Sequence, residues 1–64
     1  MDPNEALARM RSEINRFRVS GDGEGMDEAQ LYGVLLDLVE AAESLDGWLT
    51  NGGFAPDAWR ASQR

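Results

Sequence analysis

The chain has 64 residues, a formal net charge of −6, and neither cysteine nor histidine, which excludes disulfides and the usual zinc sites. We expect one small domain over residues 1–64, and a domain of this size without disulfide or metal is commonly stabilised by oligomerisation. The sequence contains no apolar run long enough for a membrane span and no evident secretory signal. These absences predict a cytoplasmic protein.

The first predicted element is a helix over residues 3–19. Asp2 is a favourable N-cap, Pro3 suits the first helical position, and Glu5 would complete a capping box. One stripe of this helix is apolar and consists of Leu7, Met10, Ile14 and Phe17. The glycine-rich segment 20–26 then predicts a loop, because glycine loses much conformational entropy in a helix.

The second predicted element is a longer helix over residues 27–50, with a capping box formed by Asp27 and Gln30. Its apolar residues follow a heptad seam of Leu31, Leu35, Leu38, Ala42, Leu45 and Leu49. Further apolar residues flank this seam, with Tyr32 and Val39 on one side and Val34, Ala41 and Trp48 on the other. A single neighbouring helix covers only part of so wide a face. We therefore predict self-association through Leu31, Leu35, Leu38, Val39, Ala42 and Leu45.

The last segment, residues 51–62, predicts a turn followed by a short helix. Gly53, or failing that Gly52, is expected to take the left-handed conformation that ends the preceding helix, and with Gly53 in this role Phe54 would lie against Leu49. Pro56 then begins the short helix. Three aromatic residues, Trp48, Phe54 and Trp59, form either part of the core or a surface for a partner. The predicted fold is an all-α helical hairpin plus a short C-terminal helix, associating as a homodimeric four-helix arrangement.

The candidate chemical motifs do not predict an enzyme. The acidic glycine loop lacks the ligand spacing of a calcium-binding loop. Acidic residues recur every three positions at Asp37, Glu40 and Glu43, and this spacing spreads them around the helix instead of converging them on a metal. Without histidine or cysteine, no serine has a conventional activating base. We predict no catalytic residue, no cofactor and no metal site.

The cations of the first helix are four arginines, Arg9, Arg11, Arg16 and Arg18. Residues 20–50 carry eight acidic residues and no cation. The arginines are therefore expected to pair with acidic residues of the second helix, in the same chain or in a neighbour, and phosphate contacts are the other interpretation. The leading functional hypothesis is a non-catalytic protein–protein interaction module, and the alternative is a nucleic-acid-related protein, either an acidic DNA mimic or an arginine-helix binder.

The ending of the chain carries a more specific pattern, Gly-Gly-Phe-x-Pro-x-x-Trp, over residues 52–59. This pattern, preceded by Leu-x-x-Trp-Leu from residue 45, resembles the ending of small acidic proteins encoded by actinobacteriophages, mycobacteriophages especially. The resemblance covers about fifteen residues. It implies a phage-type protein acting in the cytoplasm of a bacterial host, and it implies no activity or catalytic residue.

Overall fold

The computed structural model describes residues 1–61 and consists of three helices with no strand among those residues. The helices are α1 (Pro3–Val19), α2 (Glu28–Thr50) and α3 (Asp57–Ala61). Helices α1 and α2 pack against each other as a hairpin, and α3 follows as a single short turn of helix. The predicted all-α hairpin with a short C-terminal helix is therefore confirmed. Position 62, the predicted end of the short helix, lies outside the described residues.

Side chains at the N-termini fix where α1 and α2 begin. The Asp27 carboxylate accepts a hydrogen bond from the Gln30 backbone N–H at 2.8 Å, and the Gln30 side chain accepts one from the Asp27 N–H at 3.0 Å. At α1, the Asp2 carboxylate instead accepts from the Asn4 N–H at 2.9 Å. The box predicted with Glu5 does not form, because Asp2 caps the second helical position and Glu5 makes no hydrogen bond back to it.

The loop between the hairpin helices is held by its own hydrogen bonds and by contact with the hairpin. The Ser20 hydroxyl donates to the Phe17 carbonyl at 2.6 Å and accepts from the Gly23 N–H at 3.0 Å. Gly23 has a φ of +92°, and a Cβ at this position would lie 2.9 Å from the Phe17 ring and 3.0 Å from Leu31. Glycine is therefore required here both by the backbone conformation and by the close approach of the loop.

The buried core is small and lies along the contact between α1 and α2. Its apolar members are Leu7, Val34, Ala41 and Leu45, and Pro3 and Pro56 are buried as well. On α2 the centre of this contact is at Val34 and Ala41, which are 3% and 1% exposed. These two residues were expected only on the flank of the predicted seam. The mean direction of the seam is therefore rotated by about 70° from that of Val34 and Ala41, given the 100° advance per residue of an α-helix.

The turn that ends α2 uses Gly52, the second choice of the two predicted glycines. Gly52, with φ of +87°, is the left-handed residue, and Gly53 is not. The Gly53 N–H donates to the Trp48 carbonyl at 2.8 Å and the Gly52 N–H donates to the Leu49 carbonyl at 3.1 Å, which is a Schellman motif. Gly52 in this role places Gly53, and not Phe54, in the contact position of the motif. Gly53 lies directly against the Trp48 indole, since a Cβ there would be 2.3 Å from that ring.

Candidate interaction surface

The two long helices of the hairpin form a single layer. Helices α1 and α2 pack side by side, and α3 makes no extensive contact with either of them. The radius of gyration is 13.3 Å, whereas a compact chain of this length is expected to have about 10.7 Å. A single layer of two helices has two broad faces that neither helix covers, and these faces differ in chemistry.

One broad face is polar and is crossed by Arg9. Its guanidinium Nη2 lies 3.4 Å from the Asp37 carboxylate and 3.3 Å from the Glu40 carboxylate, so that α1 is linked to α2 on this side. All three side chains are substantially exposed, and exposed ion pairs contribute only about 0–1 kcal/mol each. These contacts favour one orientation of the two helices more than they stabilise the fold.

The opposite broad face, called the apolar face below, has a different composition. It consists of Ile14, Phe17, Leu31, Leu35, Leu38 and Ala42. Leu35 is 59% exposed and Ile14 is 43% exposed. Between the two helices this face holds an open groove of about 280 Å³, lined by Phe17, Leu31, Val34, Leu35 and Leu38. The outer side of α2 continues the apolar surface through Tyr32, Leu36 and Val39, which are also exposed.

The residues predicted for self-association divide between this surface and the core. Leu35, Val39 and Ala42 are exposed, and Leu31 and Leu38 are half-buried beside the groove. Leu45 is buried against α1 and belongs to the core of the chain itself. The sequence interpretation did not assign Ile14 and Phe17 to the surface, although their place in the apolar stripe of α1 was the available signal.

The arginines of α1 differ in whether they form an ion pair within the chain. Arg16 pairs with Glu13 at 3.4 Å, and Arg18 pairs with Asp22 in the loop at 2.9 Å. Together with Arg9, three of the four arginines therefore make ion pairs within the chain. Arg11 is exposed and makes no ion pair within residues 1–61.

Two aromatic residues at the end of the hairpin, Trp48 and Phe54, form a partly open pair. The rings of Trp48 and Phe54 meet edge to face with centroids 5.5 Å apart, and the Trp48 indole N–H donates to the Phe54 carbonyl at 2.8 Å. The Arg60 guanidinium lies 5.7 Å from the centre of the Phe54 ring. Phe54 nevertheless stays 54% exposed, while Trp59 is half-buried. The pair thus combines internal packing with one open aromatic face.

The start of α3 is attached to the start of α1. The Asp57 backbone N–H donates to the Asn4 side-chain oxygen at 2.8 Å, and the Asn4 amide nitrogen donates to the Asp57 carboxylate at 3.5 Å. Asn4 therefore caps a helix that lies 53 residues away in the chain. No local sequence pattern could have indicated this contact, because capping patterns link residues only three or four positions apart.

Residues 1–61 contain neither a membrane-spanning helix nor a cluster of metal-binding side chains. Within residues 1–61, no helix is long and apolar enough to cross a membrane. The same residues bring together no group of three or more histidine, cysteine or acidic side chains able to hold a metal ion. No protein-family model, curated protein or solved structure matches the chain.

Proposed function

We propose that the protein is a non-catalytic protein–protein interaction module that self-associates through the apolar face, with a homodimer of four hairpin helices as the assembly. The observation that carries this proposal is the single-layer hairpin with one polar and one apolar face. Domains are normally built from at least two packed layers around a core. A second hairpin laid on the apolar face would supply the missing layer.

The direction of the heptad seam supports the same proposal. A helix in a four-helix bundle contacts two neighbours, so its core residues point between them, towards the bundle axis. In a single hairpin the core residues point straight at the one partner, as Val34 and Ala41 do. The leucine seam of α2 is rotated from that direction towards the apolar face. In this rotated position the seam would contact a second hairpin laid on the apolar face.

The arginine-helix form of the nucleic-acid alternative receives less support from the charges. Arg9, Arg16 and Arg18 are already paired with carboxylates of the chain, so phosphate would have to displace those partners. The net charge of −6 also repels nucleic acid at longer range. A salt titration of binding to duplex DNA tests this form, since phosphate contacts give a steep loss of affinity with increasing salt.

The setting that we propose is the cytoplasm of a bacterial host, for a phage-type protein. This part of the proposal rests on the resemblance of the Gly-Gly-Phe-x-Pro-x-x-Trp ending to actinobacteriophage proteins. The half-open pair of Trp48 and Phe54, together with the half-buried Trp59, is the surface that a host or phage protein would contact. It lies at the end of the hairpin, outside the apolar face, and both surfaces can be occupied together.

The substitution Leu35→Glu tests the proposed self-association. In an isolated hairpin Leu35 is mostly exposed, so the substitution should change the free energy of unfolding by no more than about 0.5 kcal/mol. In a dimer formed on the apolar face it would bury a charge, and the dimer should dissociate. Ser12→Glu, which adds the same charge at an exposed position outside this face, is the matched control and should leave the dimer intact. Light-scattering masses that agree for both variants and the wild type would contradict the proposal.

A further inference from the structure

We infer that, in the dimer, α1 of one copy stacks on α2 of the second copy, with the two-fold axis parallel to the helices. The inference rests on the proposed self-association and adds the arrangement of the two copies. Two flat hairpins joined through one face by a two-fold axis can be arranged in two ways. An axis parallel to the helices places α1 over α2 of the second copy. An axis across the helices places α1 over α1 and α2 over α2.

The charges of the two helices differ strongly and discriminate between these arrangements. Helix α1 carries four arginines and two glutamates, which sum to +2. Helix α2 carries five acidic residues and no cation, which sum to −5. If like helices stack, α2 with a charge of −5 faces α2 of the second copy with the same charge. If unlike helices stack, α1 with a charge of +2 faces α2 with a charge of −5 at both contacts. Juxtaposed like charges disfavour an interface, so the unlike arrangement is selected.

The individual charges at the border of the apolar face agree with this arrangement. Around α1, Arg18 is about 40° and Arg11 about 60° from Ile14, so both arginines border the apolar face. Around α2, Glu28 and Asp46 are each about 20° from Leu35 and border the same face. Neither acid forms an ion pair within residues 1–61. The apolar face thus has a basic border along α1 and an acidic border along α2.

A two-fold axis parallel to the helices keeps each residue at its own height along the hairpin. Phe17 and Leu31 lie at one height, because both contact the same loop glycine, Gly23. Arg18 of one copy then lies at the height of Leu31 of the second copy, within one helical turn of its Glu28. The arrangement therefore predicts an ion pair between Arg18 of one copy and Glu28 of the other, formed twice in the dimer.

Arg11 gives a test in which the two arrangements predict opposite signs. It is the middle residue of α1 (Pro3–Val19), so in the like-on-like arrangement it would face Arg11 of the second copy. Arg11→Gln, which removes the charge from both copies, would then relieve repulsion and tighten the dimer. In the unlike arrangement Arg11 faces the acidic α2, and Arg11→Gln should raise the dimer dissociation constant about three- to tenfold. Since Arg11 has no ion pair in its own described chain, folding of the hairpin should be unaffected.

The experiment measures dimer dissociation constants by sedimentation equilibrium for the full chain. Arg16→Gln makes the same charge change on the polar side of α1 and should alter the constant less than Arg11→Gln does. Arg18→Glu should weaken the dimer, and the double variant Arg18→Glu with Glu28→Arg should recover most of the loss. A tighter or unchanged Arg11→Gln dimer, or a double variant no better than Arg18→Glu alone, would overturn the arrangement while leaving self-association standing. A wild-type chain that stays monomeric would overturn both.

Discussion

At the scale of single residues, the glycines of α2 and of the following turn have opposite surroundings. A Cβ at Gly33 or Gly47 would meet no atom within 4 Å, whereas a Cβ at Gly53 would lie 2.3 Å from the Trp48 indole. Glycine inside a helix costs about 0.5–1 kcal/mol relative to alanine. The same substitution should therefore have opposite effects on stability at Gly33 and at Gly53.

We predict that Gly33→Ala raises the free energy of unfolding by about 0.5–1 kcal/mol, because the added methyl group enters open space and the unfolded chain loses freedom. Urea denaturation followed by circular dichroism measures this change. Since Gly33 lies outside the apolar face, the dissociation constant of the proposed dimer should not change. A lower stability would show that the position is crowded in the folded protein.

We predict that Gly53→Ala lowers the free energy of unfolding by about 1–3 kcal/mol, since the indole must leave its position over the turn. The control is Gly47→Ala, which adds the same methyl group six residues earlier in the chain, where it meets no atom within 4 Å. Tryptophan emission should move to longer wavelength in Gly53→Ala and not in Gly47→Ala. Unchanged emission and stability for Gly53→Ala would contradict the described contact with Trp48.

At the scale of the helices, local patterns in the sequence were sufficient for the larger elements. Helix α1 covers Pro3–Val19, and α2 begins after the Asp27 cap and ends at Thr50. Both helices are bounded by residues that act within a few positions: a capping carboxylate at the start and a glycine turn at the end. The face of α2 that enters the core was harder to predict, because apolar residues surround more than half of this helix.

Three features of the structure could not be predicted from local sequence patterns, because they depend on how different parts of the chain pack together. Which of the two predicted glycines is left-handed depends on how the turn closes over the Trp48 ring: Gly52 takes this conformation, and Gly53 lies against the indole. The cap that Asn4 provides for α3 joins residues 53 positions apart. Similarly, the exposure of Leu35 follows from the approach angle of α1, which no periodicity in α2 encodes.

We predict that Asn4→Ala detaches α3 from the hairpin. The substitution removes the oxygen that accepts from the Asp57 N–H, and the loss of a capping side chain costs about 0.5–2 kcal/mol. Chemical shifts of residues 57–61 should move towards random-coil values while those of α1 and α2 remain helical. Asn15→Ala, at an exposed position of the same helix, is the control and should leave α3 in place. Helical shifts for 57–61 in Asn4→Ala would contradict the proposed role of this cap.

We predict that Asp27→Ala lowers the free energy of unfolding by about 0.5–2 kcal/mol, because the Gln30 N–H loses its partner and the capping box is broken. Asp27→Asn keeps the acceptor and should retain most of the stability. Thermal unfolding of both variants measures the difference. Equal losses for alanine and asparagine would assign the effect to charge near the helix N-terminus and not to the hydrogen bond.

At the scale of the whole molecule, the hairpin leaves more large apolar side chains exposed than it buries. Only four apolar residues are buried, whereas nine large apolar side chains are exposed among residues 1–61. A 64-residue chain without disulfides has little stability to spare. Association through the apolar face would bury several of these side chains, and it would couple folding to protein concentration.

We predict that the thermal midpoint of the wild-type protein rises with protein concentration, because association stabilises the folded state by mass action. Leu35→Glu should remove this dependence, and its midpoint should match that of the dilute wild type. Differential scanning calorimetry over roughly a hundredfold concentration range measures both effects. A midpoint that is constant for the wild type would be the behaviour of an autonomous monomer.

The mass of the wild-type protein in solution tests most directly whether two copies share the apolar face. Sedimentation equilibrium should give 14.2 kDa, twice the chain mass of 7.1 kDa, at high concentration, with a fall towards the chain mass on dilution. A mass of 7.1 kDa at every concentration, for a chain that remains helical and unfolds cooperatively, would contradict the proposed sharing of this face.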